Sequence, residues 1–301
     1  MNLKNQFYIF MLGEEANSDL SLIEVTEKAL KNIKNTKKYS EFQKLKNMVG
    51  IEMALRQIFA NQQISSQLTM NNVNYDYYLK PNGFMEMVMS AQDCVGRAVL
   101  AAGLIQAENL ELQFGEVLKD WFANYLLQQD NQPLEVLKEV VYYEIPHAVV
   151  VINGKQFDPI SAILPVGLDI THKIQVMDLY AGILGMCAVN FANSQTFNQL
   201  EKIDFLEEIY SINSQSPTVA RNLGGALCML DKKVSQKLLD TFAKHESLDS
   251  YLTQVIFRPE LREEILNKIK MKYGKNIFDF IKNDYNFNTI FSSIYGGYDG
   301  I

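Results

Sequence analysis

The chain has 301 residues, 48% of them hydrophobic and 21% charged, and a formal net charge of -7. That length and apolar content supply a sizeable core and exclude a disordered tail protein. The acidic balance excludes broad, salt-driven nucleic-acid binding, which needs a basic face against the phosphates.

At the N-terminus the apolar run FYIFML, residues 7 to 12, is too short to span a bilayer and is followed by no small-residue cleavage site. The expectation is a cytoplasmic protein, or one exported without a cleaved signal peptide, with no membrane span. From residue 18 to about 66 the text is helical. Ser18 is placed to cap DLSLIEVTEKALKNIKN, and EFQKLKNMVGIEMALRQIF carries apolar residues at spacings of three and four. The lysine-rich run KNIKNTKKYSEFQKLKN reads as a solvated helical face. Asn, Pro and Gly punctuate NNVNYDYYLKPNG, residues 71 to 83, which reads as a loop.

The middle of the chain changes character. AQDCVGRAVLAAGLIQA is rich in Ala and Leu, as a buried helix is, and LELQFGEV after it reads as a strand. DWFANYLLQQ and PLEVLKEV read as short helices, with Trp121 as a core anchor. VVYYEI then leads into PHAVVVINGKQFDPI, an apolar run, an Asn153-Gly154 turn and a second extended run. Beyond about residue 175 helical periodicity takes over. In QLEKIDFLEEIY, Leu200, Ile203, Leu206, Ile209 and Tyr210 fall on one helical face. LYAGILG at 179 to 185 and VARNLGG at 219 to 225 both carry Leu-Gly at or near their ends, about forty residues apart, a spacing longer than the ~34 residues of a tetratricopeptide unit. The expected organisation is a helical N-terminal region over 1–88, an α+β unit over 89–170 and stacked helix pairs over 175–301.

Three residues in the middle region carry reactive chemistry. Cys94 precedes the long apolar helix, with Ser90 and Asp93 as capping residues, which puts it in the first helical turn. Free backbone N–H groups there favour a thiolate and can contribute to an oxyanion hole. In the hairpin, a two-residue turn pairs Ile152 with Lys155, Val149 with Asp158 and His147 with Ile160. His147 and Asp158 then lie diagonally on one face, their Cβ atoms about 7 Å apart. The predicted arrangement has Asp158 orienting His147, and His147 acting as ion-pair partner and then general acid/base for Cys94. Gln156 shares that face and is the alternative orienter; Asp158 ranks first because a carboxylate stabilises imidazolium better than an amide does. Gln92 is a secondary candidate, as an oxyanion donor. Cys187 and Cys228 lie in apolar helix text and read as core residues. His172 and His245 have no comparable partners. Three cysteines, far apart and without a CxxC pair, indicate neither a disulfide framework nor a structural zinc site. With no P-loop, GxGxxG or HExxH pattern either, no cofactor or metal is expected.

DCVGRAVLAAGLIQAENLELQFGEV followed by HAVVVINGKQFDPI resembles the bacterial transglutaminase-like, papain-like superfamily over residues 93 to 160. That core runs from a nucleophilic Cys at a helix N-terminus, through an Ala/Leu-rich helix and a strand, to a strand beginning His-Ala and an Asp-Pro after the hairpin. The resemblance implies Cys94 as nucleophile, His147 as base and Asp158 as third member. The family's usual Gly before the Cys and Trp after His-Ala are here Asp93 and Val149. It further implies an α+β transglutaminase-like core, with a helical N-terminal lead-in and a tetratricopeptide-like helical C-terminal region, as in one branch of the family. The function expected is cysteine-dependent acyl transfer or hydrolysis on a protein or peptide substrate, as peptidase, deamidase or cross-linker. Some members of that branch lack the reactive residues, and the second expectation is therefore a non-catalytic module that binds a protein partner through its C-terminal helices.

Overall fold

The computed structural model describes residues 2–14, 20–60, 76–91, 94–106, 110–116, 146–152, 155–157, 175–194, 197–214, 216–230, 235–243, 248–275 and 278–279. Helices dominate them. Strand structure is confined to β1 (Leu110–Glu116), β2 (Pro146–Ile152), β3 (Lys155–Phe157) and β4 (Gln175–Asp178), of seven, seven, three and four residues. The fold class is therefore helical, and the expected α+β transglutaminase-like or papain-like core is overturned. The physical reason is that the apolar text around the middle region is mostly helical: α6 (Cys94–Ile105) precedes the strands and α7 (Leu179–Ser194) follows β4 without a break.

The chain divides into two compact units. One comprises residues 1–115, 147–168 and 174–197, the other 116–146, 169–173 and 198–301. In the first, α1 (Leu3–Leu12) begins at Asn2, whose side chain accepts a hydrogen bond from the Asn5 amide at 2.9 Å. The apolar run read as too short for a span is this helix. Phe7, Phe10 and Met11 are fully buried, and the Phe10 ring centroid lies 5.0 Å from Tyr78, 6.4 Å from Phe84 and 5.5 Å from Phe191. Such tilted and edge-on aromatic packing joins α1, the buried Tyr77-Tyr78 turn, α5 (Gly83–Ser90) and α7 into one core.

The helix α2 (Leu22–Lys31) is started by Ser21. Its hydroxyl accepts from the Glu24 amide while the Glu24 carboxylate accepts from the Ser21 amide, a reciprocal capping box. Ser18, read as the cap, lies outside the described residues. The helical text from 41 to 59 is two helices, α3 (Lys37–Val49) and α4 (Ile51–Ala60), parted by Gly50 at φ +83°, a left-handed conformation that a side chain resists. The sheet order is β3-β2-β1-β4, with β1 antiparallel to β4 and β2 antiparallel to β3.

The second unit is a succession of helices, α8 (Gln199–Ile212), α9 (Pro217–Met229), α10 (Gln236–Ala243), α11 (Leu248–Phe257) and α12 (Arg262–Tyr273), each packed on the next in chain order. On α8, Ile203, Leu206, Ile209 and Tyr210 are buried as their spacing predicts, but Leu200, in the first turn, is 53% exposed and Phe205 is buried. The Tyr210 hydroxyl meets Thr241 Oγ1 at 2.9 Å, tying α8 to α10. The two Leu-Gly segments fall in α7 and α9, one in each unit.

Candidate functional site

Cys94 is the first residue of α6, as its position before the apolar run predicts. The helix is enclosed: Ala98, Val99, Leu100, Ala101, Ala102 and Leu104 have no exposed surface, and its neighbours are α2, α3, α5, α7 and the 3-10 turn Asn32–Asn35. Small alanines on several faces let these neighbours approach closely. At Gly103 the approach is closest, since a Cβ there would overlap the Ile33 side chain. The burial of Ala98 to Leu104 seats α6 among these neighbours, with Cys94 as its first residue.

The approach to Cys94 is an elbow between α5 and α6, whose axes lie 95° apart. Ser90 does not cap α6. It closes α5, its hydroxyl donating to the Met87 carbonyl at 2.9 Å. Ala91 then takes φ 45°, ψ 46°, a left-handed conformation unusual for a residue with a Cβ. Two cations hold this turn. Arg97, only 3% exposed, donates through Nε to the Ala91 carbonyl at 2.8 Å, and Lys38 Nζ donates to the Met89 carbonyl. Both sit at the C-terminal end of α5, where carbonyl dipoles favour positive charge. Partial burial pushes the Lys38 ammonium below its ordinary pKa, opposed by the nearby Glu41 carboxylate. Neither cation was singled out from the sequence. Arg97 leaves a trace there, the one charge in CVGRAVLAAGLI; Lys38 leaves none.

His147 is the second residue of β2. The hairpin register pairs Val150 with Phe157, Val151 with Gln156 and Ile152 with Lys155, the count that a two-residue turn requires. Gln156 is thus in β3, directly across from Val151. Asp158, Gln92, Asp93, Trp121, His172 and His245 lie outside the described residues. Cys94, His147 and Gln156 all belong to the first unit. Cys187 is a fully buried thiol in α7. Among the described residues, no group of three or more His, Cys, Asp and Glu is placed to hold a metal ion.

Comparison with protein-family models, curated proteins and solved structures finds no match to this chain. Among the described residues, no single helix is long and apolar enough to cross a membrane.

Proposed function

We propose that the chain performs cysteine-dependent acyl transfer or hydrolysis on an amide of a protein or peptide. The observation that supports this most is the place of Cys94, at the start of a helix enclosed on all sides, in the same unit as the strand that carries His147. A first-turn thiol is favoured as thiolate by the free N–H groups of the helix, and Arg97 and Lys38 add positive charge at the elbow leading to it.

In the proposed reaction the Cys94 thiolate attacks the carbonyl carbon, forming a C–S bond and an oxyanion held by first-turn N–H groups. The C–N bond then breaks, and the departing amine takes a proton from the His147 imidazolium. An acyl-thioester remains. Water or an amine attacks it, His147 accepts the proton of the attacking group, and breakage of the C–S bond restores thiolate and imidazolium. Asp158, or Gln156, orients His147. Water as acceptor makes the protein a peptidase or deamidase; an amine makes it a cross-linker.

The test is labelling by a peptidyl electrophile that traps acyl-enzyme nucleophiles, with the modified residue located by mass spectrometry. Wild type is expected to be labelled at Cys94. Cys94→Ala should abolish labelling, and His147→Ala should slow it by about 100-fold or more, the range for loss of a general base. Labelling indifferent to both substitutions would overturn the proposal. A second reading, an interaction module without catalysis, is favoured by the serial packing of α8 to α12, which resembles the way helical arrays display a continuous surface. It would stand if Cys94 proved inert while the isolated protein bound peptides saturably.

A further inference from the structure

We propose that the tip of the α3–α4 hairpin is a peripheral docking element for an anionic lipid surface. The tip presents apolar side chains that the core does not use: Met48 is 79% exposed, Val49 42% and Met53 49%, all within three residues of Gly50. Gly50 turns the chain sharply, and no described atom lies within 4 Å of where its Cβ would stand, so the tip projects. Around it the charge is opposite to that of the whole chain. Within two turns of Gly50 stand Lys44, Lys46 and Arg56 against Glu52 alone, in a protein of net charge -7.

On α3, Lys44 lies one turn before Met48, hence on the same helical face, and both are exposed. Lys34, Lys37, Lys44 and Lys46 have no acidic partner at ion-pair distance among the described residues. Glu52 is already neutralised by Arg56 at 2.9 Å. Lysines beside exposed methionines are what an interfacial element needs: apolar tips enter the acyl boundary while flexible ammonium groups reach the headgroup phosphates. A second copy of this chain fits worse, since two such tips would bring like charges together. A folded protein partner also fits worse, because a convex tip of three side chains offers far less than the roughly 800 Å² per side of a specific interface. A fluid, negatively charged surface asks for neither shape complementarity nor large area.

The test is co-sedimentation of the full chain with vesicles of phosphatidylcholine alone or mixed with phosphatidylglycerol. Binding to the mixed vesicles is expected, weakening as salt is raised, with little binding to phosphatidylcholine alone. Lys44→Glu and Met48→Glu/Met53→Glu should each lower the partition coefficient about tenfold or more, since a juxtamembrane lysine contributes roughly a fivefold factor that a glutamate turns into repulsion, and the methionines supply the inserted apolar surface. Because these side chains are exposed, far-UV circular dichroism should be unchanged in both variants. The proposal is overturned if wild type ignores mixed vesicles at low salt, or binds both vesicle types equally. It is also overturned if the variants bind as wild type does, or if the tip substitutions instead dissolve a self-associated form that does not bind vesicles.

Discussion

Arg97 and Lys38 illustrate what a residue in this chain can and cannot announce about itself. Arg97 interrupts an otherwise apolar helix, and a buried charge must find partners or its desolvation is prohibitive. It ends on the Ala91 carbonyl, holding a left-handed residue in place. Replacing it with Met should lower stability by about 1.5–3 kcal/mol, the usual range for a hydrogen bond to a charged group, read from the shift in urea midpoint. Lys38 looks like one more lysine in a solvated run, because the carbonyl it serves is 51 positions further along the chain. Its pKa is lowered by burial, so between the folded value and 10.5 the unfolded chain binds the extra proton. Stability therefore rises with pH through that window. Relative to Lys38→Met, the wild-type unfolding free energy should increase as pH approaches 10.5, and a flat difference would show that burial does not disfavour the ammonium. Cys94 and His147 are legible as residue types in a pattern, but the elbow that leads to Cys94 is not, since it depends on Lys38 from a distant helix as well as on Arg97 of α6.

Among elements, the sequence was most informative where one period dominates. The hairpin register follows from a two-residue turn and is found as counted, with Ile152 across from Lys155. The burial of Ile203, Leu206 and Ile209 follows from 3.6-residue spacing, while Leu200 escapes it because a first-turn residue can point past the neighbouring helix. Gly50 was hidden inside a continuous helical pattern, because apolar spacing persists across the α3–α4 break. Close helix packing was equally silent. Gly103 has no side chain because Ile33 occupies the space, so Gly103→Val should overpack α6 against the Asn32–Asn35 turn and lower stability by about 1–3 kcal/mol. Phe191→Ala, which removes the ring shared by Phe7 and Phe10, should lower it by about 3–5 kcal/mol. Urea titrations of both variants give the comparison, and a Gly103→Val protein as stable as wild type would mean that α6 is not seated as tightly as its burial implies.

For the molecule as a whole, the helical class emerges from elements that the sequence reading under-weighted. The N-terminal apolar run reads only as a segment too short for a membrane span, yet as α1 it supplies the aromatic centre of the first unit. Strand-like text between residues 89 and 170 suggests a mixed core, but the described strands are short and helices precede and follow them. Far-UV circular dichroism should accordingly have the shape of a mainly helical protein; a sheet-dominated spectrum would contradict the fold. The function rests more narrowly, on whether the first residue of an enclosed helix is a reactive thiolate. The most direct measurement is the rate at which iodoacetamide alkylates each of Cys94, Cys187 and Cys228 in the native protein at about pH 6, where an ordinary thiol is almost wholly protonated. Cys94 is expected to react far faster than the other two and to lose that advantage in His147→Ala. Reaction no faster than that of Cys187 or Cys228, or only after unfolding, would contradict it.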